Sequence, residues 1–365
     1  MKFFHTHISP LAKELVNQVL DSSFISAGKT SELFEKELEK VLKLQKVVTV
    51  NSGTSALHLG LDIGGIKEGD EVIIPAQTFI ATGLSVLMMK AVPVFADIQA
   101  DTGNVDPKSI EDKITDRTKA IIPVHWGGYP CDLDEINNIA TKYNLTVIED
   151  AAHALGATYK GKPVGTISDF TVFSFQAIKH LTTGDGGALC CRKTEHYNQA
   201  KQKRWFGIDR ENSKVSILGE REYDVSEIGY KYHLNDFAAA LGLANLYDIN
   251  KILSRHRYIA DFYNKSLSNI SGLTLLKLKS DRQSAYWIFT ILVEHREEFI
   301  KKLASEGIPY SVVHLRIDSN SVFGGIREEL VNQQKFNELQ VSLPVHSGLT
   351  DEDLDHIINS IKHGW

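Results

Sequence analysis

Cysteine and methionine are scarce in this 365-residue chain, at three copies each. Cys131 stands alone, and Cys190 and Cys191 are neighbours. No C-x-x-C spacing occurs, which argues against a disulfide framework and a cysteine zinc site. Adjacent cysteines on a strand point to opposite faces and read as packing residues. The 14 histidines contain no H-E-x-x-H grouping, so no metal site is expected. Positive charge is not in excess: the formal net charge of −6 argues against a nucleic-acid partner. Long apolar runs are missing as well. The stretch from Phe79 to Ala96 is interrupted by Lys90 and Pro93, and MKFFHTHISPLAKELV has no apolar signal-peptide core. The sequence therefore predicts a cytoplasmic protein without a membrane segment.

What is present is ordinary globular composition, 42% hydrophobic and 24% charged, in a chain long enough for two folded units. Apolar residues at helical spacing in ELFEKELEKVL (32–42) are followed by a strand-like VVTVNS (47–52) and a helical TSALHLGLDI. EVIIP (71–75), VPVFADI, AIIPVH, TVIED, FTVFSF and GGALCCR read as further strands, with helical TFIATGLSVLMMK (78–90) and LDEINNIATKY between some of them. Val- and Ile-rich strands alternating with helices predict an α/β fold with a mostly parallel sheet covered on both faces. A long helical run over 236–263 links this unit to a strand-like YWIFTILV (286–293), a helix over 297–305 and LRIDSNSVFGG. The division expected is a large domain over 1–248 and a smaller α/β domain over 249–365.

Ligands of open parallel sheets sit beyond the carboxyl ends of the strands. Asn51-Ser-Gly-Thr-Ser55 lies at such an end; Thr54 and Ser55 suit an N-cap, and Gly53 admits a close backbone. A helix start of this kind attracts a phosphate, and by itself equally describes a plain capped helix. Asp150 ends TVIED, where a buried carboxylate needs a cation or hydrogen bonds; a helix N-cap is the other reading, with His153 one turn on. Lys179, in SFQAIKHL, is a lysine in apolar company. Burial disfavours its charge and frees the amine for Schiff-base chemistry, although a single lysine more commonly snorkels to water. Phe79 follows a strand end and would serve as core or as a stacking ring. Taken together these residues describe the needs of pyridoxal phosphate: a phosphate cradle, a carboxylate for the pyridinium nitrogen, an aromatic stacking partner and a lysine.

NSGTSAL (51–57), PAQTFIAT (75–82), VIEDAAHALGA (147–157), SFQAIKHLTTGDGG (174–187), GYKYHLND (229–236) and SLPVHSGLTDEDLDHII (342–358) resemble the DegT/DnrJ/EryC1/StrS family of sugar aminotransferases, which have the fold-type-I pyridoxal-phosphate architecture. The resemblance runs over nearly the whole chain. It implies that Lys179 holds pyridoxal 5'-phosphate as an internal aldimine and moves protons, and that Asp150 pairs with the ring nitrogen. It implies further that His153 lies by the ring, that Gly53, Thr54, Ser55 and Ser174 hold the phosphate, and that Phe79 stacks. Lys231, where many members carry asparagine, would reach a phosphate across a homodimer as a point charge. Gln176 departs from the commoner histidine of that motif. For the sugar nucleotide the resemblance points to Ser26, Gly28 and Arg204, with His314, Arg316 and His346 as further candidates.

The implied reaction moves an amino group from L-glutamate to a nucleotide-linked keto sugar, with 4-keto sugars favoured, for surface-polysaccharide or other amino-sugar synthesis, lipopolysaccharide among them. Lysine at 179 speaks against the dehydratase branch, which has histidine there. A cyclitol aminotransferase working without a nucleotide, or a regulatory protein on the same fold, are the competing readings.

Overall fold

The computed structural model describes residues 1–210 and 212–365. Seven strands form the main sheet among the described residues: β1 (Val47–Val50), β2 (Glu71–Pro75), β3 (Val92–Ala96), β4 (Thr118–Ile121), β5 (Thr146–Asp150), β6 (Phe170–Ser174) and β7 (Gly187–Cys191). Their spatial order is β1-β7-β6-β5-β4-β2-β3. β7 runs antiparallel to both its neighbours, and the other adjacent pairs are parallel. Alternate residues feed opposite faces, as a pleated strand requires. Val72, Ile74 and Ile148 pack on one side with the helix Gly53–Ile63. Ile73 and Val147 pack on the other with Leu133 and Ile136 of the helix Leu133–Tyr143. Cys191 joins the first side, whereas Cys190 lies in a separate cluster with Phe173 and Leu181.

A second, antiparallel sheet follows: β8 (Leu273–Leu275), β9 (Phe289–Val293) and β10 (Gln340–Leu343), in the order β8-β9-β10. Helices Ile249–Ser266, Arg296–Ser305 and Asp351–Lys362 contribute Ile259, Phe299 and Ile357 to its core. The first turns of Ile249–Ser266 pack instead beside the main sheet, with Ile249 and Leu253 in the cluster of Phe173 and Ala188.

Three local expectations are corrected. The helix after β1 is capped by Ser52, whose Oγ accepts from the Ser55 N–H at 3.0 Å, and not by Thr54 or Ser55. No helix starts after Asp150: residues 151–157 form turns, so His153 is not one helical turn further on. YWIFTILV is extended only from Phe289, because Tyr286 has φ +50° and the Trp287 N–H turns to the Gly127 carbonyl at 2.8 Å. Downstream, LRIDSNSVFGG forms short 3-10 turns at Ile317–Ser319 and Ser321–Phe323. These turns pack Ile317 and Phe323 into the core of the main sheet, not with the second sheet.

Candidate active site

A cavity of about 420 Å³ opens where the carboxyl ends of β1, β2, β5 and β6 meet. Gly53 and Thr54 line it after β1, and Phe79 after β2. Asp150 and His153 line it at the end of β5, Ser174 and Lys179 at the end of β6, and His314 comes from the C-terminal part. Eight of the residues singled out in the sequence thus share one cavity. Ser52, Thr78, Asp185, Gly186 and Trp287 also line it. Ser52 carried a signal, as a serine next to a helix start. Trp287 carried none, because YWIFTILV reads as an uninterrupted strand.

The β1 turn and the β6–β7 connection approach each other closely. A Cβ on Gly187 would lie 2.6 Å from the Ser52 carbonyl carbon and 2.7 Å from the Gly53 nitrogen, so no side chain fits there. A Cβ on Gly53 would stand 3.1 Å from that of Ser174, which puts the Ser174 hydroxyl beside the start of the helix. A helix N-terminus flanked by hydroxyls and backbone N–H groups is an anion site with room for a phosphate. Ser55 does not contribute its hydroxyl. That group is buried, donating to Asn51 Oδ1 at 2.6 Å and lying 2.9 Å from Ser52 Oγ.

Asp150 is buried at the cavity floor. Its Oδ2 accepts from the Thr82 hydroxyl at 2.7 Å and its Oδ1 from the Ala152 N–H at 3.2 Å. Burial raises its pKa, against the Thr82 hydrogen bond, the Ala152 N–H and the charge of Lys179. A carboxylate so placed favours a cationic partner. Behind it, His125 Nδ1 accepts from the Cys131 N–H at 3.0 Å, which leaves Nε2 to donate to the buried Glu149 at 2.9 Å.

Lys179 sits in the turn after β6. Desolvation lowers its pKa to about 7, with Asp150 pulling the other way, so the free amine is accessible near neutrality. Its Nζ lies 3.5 Å from the centroid of the Trp287 ring. His153 stacks on the same indole at 3.9 Å and 21°. Desolvation and the nearby Lys179 push the His153 pKa well down, so its imidazole is neutral. His153 Nδ1 is buried without a hydrogen-bond partner among the described residues. His314, lowered to about 4 by burial, lies 5.8 Å from His153 and 5.1 Å from the half-exposed Phe79. An orphaned ring nitrogen, an acidic floor and a phosphate-sized cradle fit pyridoxal phosphate.

The remaining candidates lie elsewhere. Arg316 is buried, with Nε and Nη2 bidentate on Asp318 at 2.7 and 2.6 Å and Nη1 on Gln334 at 2.8 Å. Those three hydrogen bonds commit its guanidinium inside the protein, which corrects its reading as a substrate ligand. The Arg204 guanidinium pairs with Glu35 and donates to the Thr49 carbonyl at 2.9 Å. Gly28 and Arg204 border a separate surface cleft, and Ser26 is exposed next to it. His346 accepts from the Gly348 N–H and lies 2.9 Å from the Lys2 carbonyl, on the far side of the Lys179 turn. Lys231 is exposed, its Nζ 3.8 Å from the Trp205 ring, and does not line the cavity of its own chain. Among the described residues no group of three or more His, Cys, Asp or Glu is placed to hold a metal ion, and no helix is long and apolar enough to cross a membrane.

Fold and site together define a pyridoxal-phosphate-dependent transferase. The sequence matches the DegT/DnrJ/EryC1/StrS aminotransferase family over residues 7–362. It is 35% identical to the GDP-perosamine synthase of Escherichia coli O157:H7, with 96% of this chain and 94% of that protein aligned. The crystal structure of the sugar aminotransferase CalS13 from Micromonospora echinospora superposes with TM-score 0.95 at 34% identity, covering 100% of both chains. The PLP form of the putative sugar aminotransferase Spr1654 from Streptococcus pneumoniae superposes with TM-score 0.91 at 31% identity, over 100% of this chain and 98% of that one. The chain belongs to the DegT/DnrJ/EryC1/StrS aminotransferase family, and it is a pyridoxal-phosphate-dependent sugar aminotransferase.

Proposed function

We propose that the protein transfers the amino group of L-glutamate to a nucleotide-linked keto sugar, aminating a 4-keto carbon. The observation that carries the reading is Lys179: an amine with its pKa lowered to about 7, in the cavity that also holds Asp150 and the cradle at Gly53. Ser52, Gly53, Thr54 and Ser174 hold the cofactor phosphate. Asp150, fixed by Thr82, keeps the pyridine nitrogen protonated. Phe79 and His153 border the ring. When bound, pyridoxal phosphate supplies the electron sink and carries the amino group between the two substrates. Lys179 Nζ takes and returns the proton at the reacting carbon, for which a proton affinity near the working pH is best suited. The neutral imidazole of His153, whose Nδ1 has no partner among the described residues, would supply a hydrogen bond to the ring oxygen of the cofactor.

The nucleotide-linked substrate rests on the likeness to a GDP-perosamine synthase. We infer a cytoplasmic homodimer in which Lys231, exposed and absent from the lining of its own cavity, reaches that of the partner. The product class is amino sugars for surface polysaccharide. The test is the absorption spectrum of the loaded protein, before and after L-glutamate, beside Lys179→Ala. Glutamate should bleach the long-wavelength band of the wild type, and no lysine-dependent band should form in the variant. A colourless protein after incubation with the cofactor contradicts the reading. Protection from thermal unfolding by GDP, UDP or dTDP then identifies the nucleotide, and protection by none of them favours a nucleotide-free keto sugar.

A further inference from the structure

Trp287 meets Lys179 in three ways. The Lys179 Nζ rests 3.5 Å from the indole centroid. The indole Nε1–H donates to the carbonyl of Ile178, the residue before Lys179, at 2.8 Å. His153, which lines the same cavity, stacks on the ring at 3.9 Å. The indole is 1% exposed, and Phe4 of the N-terminal segment stacks on it at 5.2 Å and 23°. Phe3 packs edge-on against Phe4 at 4.7 Å. The preceding Tyr286 holds φ +50°, a conformation that a bulky residue keeps only when its surroundings enforce it.

We propose that Trp287 is a positioning residue, the seat that receives the amine of Lys179 whenever that amine is not bound to the cofactor, with Phe4 fixing the seat from behind. An indole face attracts an ammonium through its quadrupole, and more strongly when both are withdrawn from water. The Nε1–H···O=C tether holds the lysine turn at fixed height above the ring. The lysine, held there as the ammonium, therefore stays inside the cavity rather than swinging into solvent, placed to return its proton and, once deprotonated, to take the next. The other groups facing Lys179 are Asp150, which favours its charge, and His153, His180 and His314, each with its own pKa pushed down by burial and so neutral there. Removing the indole thus withdraws a cation-stabilising partner and leaves the carboxylate in place.

This inference rests on Lys179 being the cofactor lysine, so the experiment uses cofactor-free protein, while borohydride fixation of the cofactor on Lys179 tests that assignment separately. The ionisation of Lys179 is followed by competitive amine labelling and peptide mass spectrometry across pH in the wild type, Trp287→Leu and Trp287→Phe. Trp287→Leu should lower the midpoint by about one unit, since it loses the π face. Trp287→Phe keeps a face and loses the N–H, and should recover most of the midpoint with a faster labelling rate. A midpoint that is unchanged or raised in Trp287→Leu overturns the proposal. If that variant does not fold, Trp287 emission in the wild type, taken as the difference from Trp287→Phe, should titrate in step with Lys179 and lose that step in Lys179→Met. Emission that is flat through the titration of the lysine overturns it equally.

Discussion

Lys179 and Lys231 each place Nζ over a tryptophan, 3.5 Å from the Trp287 centroid and 3.8 Å from that of Trp205. The contacts are nearly alike and the surroundings are opposite. Trp287 is buried, and around Lys179 the polar neighbours are one carboxylate and neutral imidazoles. Trp205 carries Lys231 on its ring together with the Arg210 guanidinium at 4.7 Å, and His233 lies 4.1 Å from it. Lys231 itself is exposed. An indole neighbour thus does not make a lysine reactive. Desolvation does, because it removes the hydration that makes the ammonium the preferred form. The lysine at the surface is suited to reaching a partner, and the buried pair to presenting an amine.

The largest effect separating the two lysines is on turnover. Lys179→Ala should lower the transamination rate by about a thousandfold or more, as expected for loss of both covalent attachment and proton transfer, read from steady-state kinetics with glutamate. Lys231→Ala, which removes the charge proposed to reach a phosphate in the partner's cavity, should weaken cofactor retention and slow the first half-reaction with glutamate by far less than Lys179→Ala. A comparable collapse in both variants would erase the distinction. Next in size, Asp150→Asn should cost roughly a hundredfold in rate while Thr82→Val, which removes one hydrogen bond to that carboxylate, costs less. Single-turnover kinetics reads both.

Gly187→Ala forces a methyl to within 2.7 Å of backbone atoms of the β1 turn. It should weaken retention of the cofactor and destabilise the fold by about 1–3 kcal/mol, measured by dialysis and denaturant titration. A smaller effect concerns pH. The folded-state pKa of Lys179, about 7, lies below its unfolded value. Between those values the unfolded chain binds more protons, so the cofactor-free protein gains stability as pH rises from about 7 toward the ordinary lysine range. Lys179→Met should flatten that rise and be more stable than the wild type at and below neutrality. Equal pH slopes in the two proteins would show that the amine is hydrated. Lys231→Met should change stability by no more than about 0.5 kcal/mol at any pH, as expected of an exposed residue.

Much of the fold and of the site is legible in the order of the amino acids alone. Strands such as EVIIP and TVIED occupy the positions their Val- and Ile-rich centres predict, because a strand covered on both faces is mostly apolar, and their buried carboxylates are each paired or hydrogen-bonded. Lys179, Asp150 and Ser174 stand out because each is a polar residue set where an apolar run ends. Trp287 is hidden by the reverse circumstance. It lies in a run whose composition suits a strand, and only tertiary contacts, the Gly127 carbonyl and the left-handed Tyr286, turn it into the cavity. Arg316 misleads for a related reason. A guanidinium near a cavity looks like an anion ligand until its partners are known, and here Asp318, two residues on, already occupies it. The packing of Ile317 and Phe323 into the core of the main sheet is likewise beyond reach, since no local pattern encodes which sheet a 3-10 turn packs against.

The most direct test of the account is where the cofactor attaches. The loaded protein is reduced with borohydride, digested and mapped by mass spectrometry. The phosphopyridoxyl mass is expected on the peptide containing Lys179 and is lost when glutamate is added before reduction. The same mass on Lys231 or another lysine, or on none, would contradict it.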